Sequence, residues 1–347
     1  MSLVAMRQLL DHAADNGYAI PAFNIHNLEL LQAVMAAATS VGAPVILQSS
    51  GVARDYAGPV YLKHLVSAAL ESNPRTPVAL HDDHCRSLEA CRRAVESGCS
   101  SIMMDGTLLE DGKTVADYEY NVRVSREAVD YAHALGVTVE NELGALGSLE
   151  TLRYEVDEAG DPLRSPEELL TDAGQAADFV RRTGCDALTV AIGTIHGPNK
   201  FSKAPTAEVL AIERLAEIHA RIPGTHLVLH GSSTIPMALL DRINAHGGRV
   251  PAAWGVPVSE LKRAIGFGVR KINIDTDIRL AMTAALRETM DTDPALFDPR
   301  EYAKPMRVAA ESIIRERFLA FGCEGQAAKI RPEALDAFAR RYQAASR

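Results

Sequence analysis

Short apolar runs rich in Val, Ile, Leu and Ala alternate along the chain with longer stretches of helical period. The runs predict strands at 19–24 (AIPAFN), 44–49 (PVILQS), 77–81 (PVALH), 100–105 (SSIMMD), 137–143 (VTVENEL), 186–192 (DALTVAI), 226–230 (HLVLH) and 269–274 (VRKINI). Between them, LELLQAVMAAATSVG, SLEACRRAVESG, VADYEYNVRVSREAVDYAHALG and TDAGQAADFVRRTG read as helices. Each closes on a glycine (Gly42, Gly98, Gly136, Gly184), the residue preferred just past a helix C-terminus. Eight strand-then-helix units predict an α/β fold, a (β/α)8 TIM barrel. The open doubly wound sheet loses its main support because no GxGxxG follows the first strand.

Two connections exceed simple links: GALGSLETLRYEVDEAGDPLRSPEEL after the fifth strand and GSSTIPMALLDRINAHGGRVPAAWGVP after the seventh. Loops longer than about 12–15 residues are usually functional or disordered. Both leave the C-terminal ends of strands, where barrel active sites are built. Near residue 290 the repeat stops. The chain therefore divides into a catalytic barrel over 1–290 and a helical C-terminal arm over 291–347 that packs on the barrel or on another subunit.

Most of these strands run into residues able to bind a metal or move a proton: Asn24, Ser50, His81 with Asp83 and His84, Asp105, Glu140 with Glu142, His196, His230, and Asn273 with Asp275. Any one of them is more often a loop cap or a satisfied core residue. Their repetition at one rim is what argues for chemistry. His84, His196 and His230 come from three strand ends, and three imidazoles with an open fourth position make a catalytic zinc site. Cobalt, iron or manganese could use similar donors. Side chains alternate along a strand, so adjacent Asp83 and His84 are expected to diverge, which frees Asp83 for proton transfer. His81 either supports the site or is a buried hydrogen-bonding residue.

Glu140 and Glu142 share a strand face and, with Asp105, gather negative charge. A second metal ion, outer support for the zinc, or paired Lys and Arg would balance it. The segments AIGTIHGPNK, LHGSSTIP and INIDTDIR offer N–H groups and hydroxyls that can hold a phosphate, although a plain turn explains each alone. Lys200, Lys271, Arg300 and Lys304 are candidate counter-charges for a second phosphate, with a solvated surface role as the alternative.

Composition narrows the partners. With 347 residues, 47% of them hydrophobic, the chain can bury a large core, and its net charge of −9 speaks against nucleic acid or an anionic membrane. An anionic small molecule in a local pocket stays open. Five cysteines without a CxxC pair suggest reduced thiols and a cytoplasmic location. The N-terminus lacks a signal-peptide apolar region, and no run approaches the ~20 apolar residues that span a bilayer.

HDDHC, MMDG, ENELGALGSLE, AIGTIHG, LHGSS, NIDTDIRLAM and FDPREYAKPM occur in that order across nearly the whole chain. As an ordered set they resemble class II, metal-dependent fructose-1,6-bisphosphate aldolases, and within them the Calvin-cycle subtype, to which HGSS and FDPR are especially similar. The resemblance implies a lyase of glycolysis, gluconeogenesis or the Calvin cycle. It would reversibly cleave fructose 1,6-bisphosphate to dihydroxyacetone phosphate and glyceraldehyde 3-phosphate through a zinc-stabilised enediolate. His84, His196 and His230 are then the zinc ligands and Asp83 the acid/base at the hydroxyl. Asp105 and Glu142 form a second metal position, and Glu150 is the mobile proton-transfer carboxylate. Asn24, Ser50, Gly231, Ser233, Asn273, Asp275 and Thr276, with Gly197 and Lys200 after the sixth strand, would contact the substrate or its phosphates. Arg300 would grip the far phosphate from its own chain or across a subunit interface. A monovalent cation, K+ or Na+, near the phosphate and a homodimer or homotetramer are further implications.

The chain departs from the pattern at Asp82, where a neutral residue is usual, at Gly197-Pro198-Asn199, where a small residue and an aromatic are expected, and after Glu150, where an acidic glycine-rich stretch is missing. Proline there removes an N–H from the phosphate loop. Aldolases of sedoheptulose or tagatose bisphosphate are the nearest alternatives. A Schiff-base aldolase using Lys271 is a third. A metal-dependent hydrolase commonly carries His-x-His on strand one, and FNIHN holds one histidine. A non-catalytic sugar-phosphate sensor would need neither Asp83 nor Glu150.

Overall fold

Strands covered on both faces read as unbroken apolar runs. In the computed structural model, which describes residues 2–144, 170–194, 205 and 209–345, the eight runs pair in chain order. β1 (Ile20–Asn24), β2 (Val45–Ser50), β3 (Val78–Cys85), β4 (Ser101–Met104), β5 (Thr138–Leu143), β6 (Ala187–Val190), β7 (His226–Leu229) and β8 (Val269–Ile274) close a parallel barrel. The (β/α)8 expectation holds. β3 differs in length, running past His81 to Cys85 because Gln48 and Ser50 of β2 keep pairing with His81 and Asp83. Its apolar pattern stops where the barrel interior turns polar, not where the strand ends.

Local signals set the helix ends. Asn27 caps Leu28–Val41 by accepting from Leu30 N at 3.1 Å, and Asp172 caps Ala173–Thr183 by accepting from Gln175 N at 2.7 Å. Both helices end on a left-handed glycine, Gly42 (φ 64°) and Gly184 (φ 73°). At the N-terminal end of the barrel the helix Met6–Asp15 buries Met6, Leu9 and Leu10 completely, each contributing about 1.5–3 kcal/mol. Beside this apolar plug, Arg7 and Asp11 of the same helix pair with Asp186 and His226 at the starts of β6 and β7.

The connection after β7 is not a continuous loop. It contains the helix Met237–Ala245, whose Leu239, Leu240 and Ile243 are buried. The spacing of these residues is helical, and the surrounding Gly and Pro hid it. The long connection after β5 lies mostly outside the described residues. Beyond the helix Thr276–Thr292, the helix Pro299–Ala320 packs against Leu28–Val41 and Thr276–Thr292. It sends Ile314 and Phe318 into the main core, where Phe318 meets Phe23 of β1 edge-on at 5.2 Å between ring centroids. Among the described residues no helix is long and apolar enough to cross a membrane.

Candidate active site

Alternation points Gln48 of β2, His81 and Asp83 of β3, Glu140 and Glu142 of β5, Thr189 of β6 and Lys271 and Asn273 of β8 into the barrel. Their contacts confirm it. Glu140 sits at the centre: its Oε1 accepts from Thr189 Oγ1 at 2.7 Å and lies 3.0 Å from His230 Nε2, while its Oε2 lies 2.9 Å from Lys271 Nζ. One layer higher, His84 Nδ1 is 3.0 Å from Asp105 Oδ2, and Asp105 Oδ1 also accepts from Thr107 Oγ1 at 2.6 Å. Glu142 Oε2 faces both imidazoles, 3.9 Å from His84 Nδ1 and 3.7 Å from His230 Nδ1. Asp83 lies beside them, 4.0 Å from His84 Nε2 and 3.9 Å from His230 Nε2.

These donors fit a divalent cation. The gaps from Glu142 to the two imidazoles are too long for hydrogen bonds. Donor atoms of Glu142, His84 and Asp105 all lie within 4.8 Å of one another, as do those of Asp83, His84 and His230, so carboxylates and imidazoles can surround an ion on this rim. Glu142 Oε2 is buried and has no hydrogen-bond partner among the described residues, and buried polar atoms rarely stay so. The electrostatics agree. Burial pushes the Glu142 carboxyl well above its ordinary range, and the charge of Asp105 adds to the effect. Burial alone would lower His84, but Asp83, Asp105 and Glu142 outweigh it and raise the imidazole to about 10. The cluster attracts positive charge. Asp83 resists burial and is held ionised, at about 2, by His84, His230 and Lys271. Burial and then Lys271 push His81 down to about 3, so it stays a neutral hydrogen-bonding group whose Nδ1 meets Ser101 Oγ at 2.8 Å.

The structure corrects the sequence expectations for the Asp83–His84 pair and for Lys271, and it accounts for Asp82. Asp83 and His84 do not diverge: His84 takes φ 59° where the β3–β4 register shifts, and its ring turns back to the side of Asp83. Donor atoms of Asp83, His84 and His230 all lie within 4.8 Å of one another. Lys271 is no counter-charge for a phosphate on the rim, because it is fully buried beside Glu140. That placement also disfavours it as a Schiff-base nucleophile, which needs a free amine. Asp82, unexplained by the sequence, points out of the barrel and pairs with Arg54 of the helix Gly51–Ala57. Burial still lifts its carboxyl to about 6 against the pull of Arg54. Arg54→Met should therefore cost about 1–3 kcal/mol of stability by stranding a buried carboxyl, as read from urea denaturation, with turnover little changed.

Comparison with known proteins decides the family. Residues 4–326 match the family described as fructose-bisphosphate aldolase class-II. The chain belongs to that family. A fructose-bisphosphate aldolase of Xanthobacter flavus is 52% identical over 99% of this chain and 97% of its own length. A fructose-bisphosphate aldolase class 2 of Synechocystis is 50% identical over 99% of this chain and 96% of its own. Among solved structures, the YdjI aldolase of Escherichia coli K12 superposes with TM-score 0.72 at 29% identity, covering 94% of this chain and 99% of that one. The protein is thus a class II aldolase, a lyase that works with a divalent metal.

The structure brings many, but not all, of the expected aldolase residues together. His196, Gly197 and Lys200 after β6 and Glu150 after β5 lie outside the described residues. Asn24 accepts from Gln48 Nε2. Asn273 Nδ2 donates to Asp83 Oδ1 at 3.4 Å. Ser50 caps the helix Gly51–Ala57. Ser233 Oγ accepts from Asp275 N at 3.4 Å and Thr276 N at 3.2 Å, so the turn after Gly231 meets the helix that starts at Thr276. Burial raises the Asp275 carboxyl despite its contact with Arg279. Arg300 and Lys304 stand on the surface of the arm helix, paired with Asp298 and Glu301 of their own turns. Sequence reading missed Gln48, whose Nε2 links Asn24 to Asp83 Oδ2 at 3.5 Å, and Thr189, which holds Glu140. A lone Gln or Thr inside an apolar strand was the available signal.

Proposed function

We propose that this aldolase reversibly cleaves fructose 1,6-bisphosphate to dihydroxyacetone phosphate and glyceraldehyde 3-phosphate, with zinc held by His84, His196 and His230. The observation that carries the reading is the carboxylate of Asp83 beside two converging imidazoles on one rim. When bound, the ion supplies Lewis-acid polarisation of the ketose carbonyl, worth several kcal/mol. Asp83 takes the proton of the C4 hydroxyl. Gln48 and Asn273 aim it by contacting one oxygen each. The C3–C4 bond then breaks, its electron pair stays on C3, and the aldehyde leaves. Glu150, from the connection after β5, returns a proton to C3, and a loop-borne acid suits a group that must act after the site has closed on substrate.

Gly231, Ser233, Asn273, Asp275 and Thr276 hold the phosphate of the dihydroxyacetone half, with Gly197, Lys200 and a K+ or Na+ ion beside it. Asn24 and Ser50 contact the sugar, and Arg300 takes the far phosphate in a homodimer or homotetramer. Asp105 and Glu142 offer the second divalent position. Five free, buried cysteines suit a reducing cytoplasm.

Turnover on fructose, tagatose and sedoheptulose bisphosphates, with and without chelator, tests the reading. Fructose bisphosphate should give the highest kcat/KM, chelation should abolish cleavage, and added zinc should restore it. Borohydride with substrate should leave the enzyme active. Trapping by borohydride, or chelator-resistant cleavage, would overturn the metal assignment.

A further inference from the structure

A second buried ion pair stands behind the turn that follows β7. Asp277, in the first turn of Thr276–Thr292, is fully buried, and so, in effect, is Arg317 of the arm helix Pro299–Ala320. Asp277 Oδ2 accepts from Arg317 Nε at 3.2 Å, Arg317 Nη2 at 3.1 Å and Thr234 Oγ1 at 3.0 Å. Arg317 Nη2 also donates to Thr234 Oγ1 at 2.6 Å. The other oxygen, Asp277 Oδ1, accepts from Ile235 N at 2.9 Å. That last bond matters because Ile235 has φ 47°, a conformation a β-branched residue avoids. Such strain persists only where the surroundings over-determine it. On the opposite side, Val256 N donates to Ser233 O at 3.1 Å, so residues 233–235 are held from both directions.

We infer that Arg317 is a positioning residue for phosphate binding: acting through Asp277 and Thr234, the arm fixes the strained turn that carries Ser233. The inference rests on the reading that this turn holds a substrate phosphate. A buried Arg–Asp pair is weak evidence of stability but well suited to specifying one geometry. The hydroxyl of Thr234 is the hub, contacted by both ionic partners. The catalytic groups are held by other contacts. Glu140 and Thr189 fix His230, Asp105 fixes His84, and Gln48 and Asn273 fix Asp83. Loosening the turn should therefore weaken ground-state and transition-state binding alike, raising KM and leaving kcat nearly unchanged.

The test uses inorganic phosphate as a competitive inhibitor of the full-length, metal-loaded enzyme, together with KM and kcat for the bisphosphate. Thr234→Val removes the hub and keeps the Arg317–Asp277 pair, so the fold should survive; Arg317→Lys keeps the charge and loses the fork. Both should raise KM and the phosphate inhibition constant about tenfold, the value of one hydrogen bond to an ionic group. Thr234→Ser should restore both. Ser233→Ala is the control for the underlying reading. Should it leave phosphate inhibition unchanged, the turn is not a phosphate site. Should it weaken phosphate while Thr234→Val does not, the positioning role of Arg317 is wrong. A fall in kcat at constant KM in Thr234→Val also overturns it, since that pattern means the effect runs through His230.

Discussion

Asp83→Ala should lower the turnover of bisphosphate cleavage by about 10²–10⁴-fold, the usual contribution of a positioned general base, while the bound metal stays in place. Both halves of the expectation matter. Asp83 shares a 4.8 Å cluster with His84 and His230, so the geometry alone would also allow it to be a metal ligand. Its other contacts favour the base. Gln48 and Asn273 each reach one carboxylate oxygen, and the neighbouring positive charge keeps it ionised. Glu142, by contrast, groups with His84 and Asp105 within 4.8 Å, and its Oε2 accepts no hydrogen bond among the described residues. Metal content measured by atomic spectroscopy alongside kcat separates the roles. Loss of metal in proportion to loss of activity would make Asp83 a ligand, and full activity in the variant would remove it from the chemistry.

Lys271→Met should destabilise the fold by about 3–5 kcal/mol, the cost of breaking one side of a buried ion pair. Neither Lys271 nor Glu140 is exposed, and they lie 2.9 Å apart. Lys271 outweighs burial to hold the Glu140 carboxyl well below its ordinary range, so removing the ammonium strands an anion in the barrel. Denaturant unfolding of the metal-free protein reads the effect without interference from metal binding. Adding Glu140→Gln should recover most of the loss, because a neutral amide no longer needs the partner. A single-variant cost below about 1 kcal/mol would mean that water or His230 compensates the anion, contrary to the packing described.

How much of this was legible in advance differs from residue to residue. The eight strands and their order followed from short-range periodicity, because a strand covered on both faces has nowhere to place a polar residue until it reaches a rim. The same logic located Asp105, Glu142 and His230 at strand ends. It failed at β3. Alternation is a local rule, and the register shift that turns His84 back toward Asp83 arises from the pairing of β3 with β4, not from HDDHC itself. It failed again at Lys271, since nothing along VRKINI says that the lysine faces a glutamate from β5.

Residue type and spacing by themselves determined the barrel, the chemical character of its C-terminal rim and the family to which the chain belongs. Tertiary structure decided which way each charge faces: Asp82 outward to Arg54, Lys271 inward to Glu140, and Arg317 down to Asp277, 40 residues away in the chain. The physical reason is range. Hydrophobic period is set within a few neighbouring residues, whereas the partner of a buried charge is whichever group the closed barrel brings within about 3 Å.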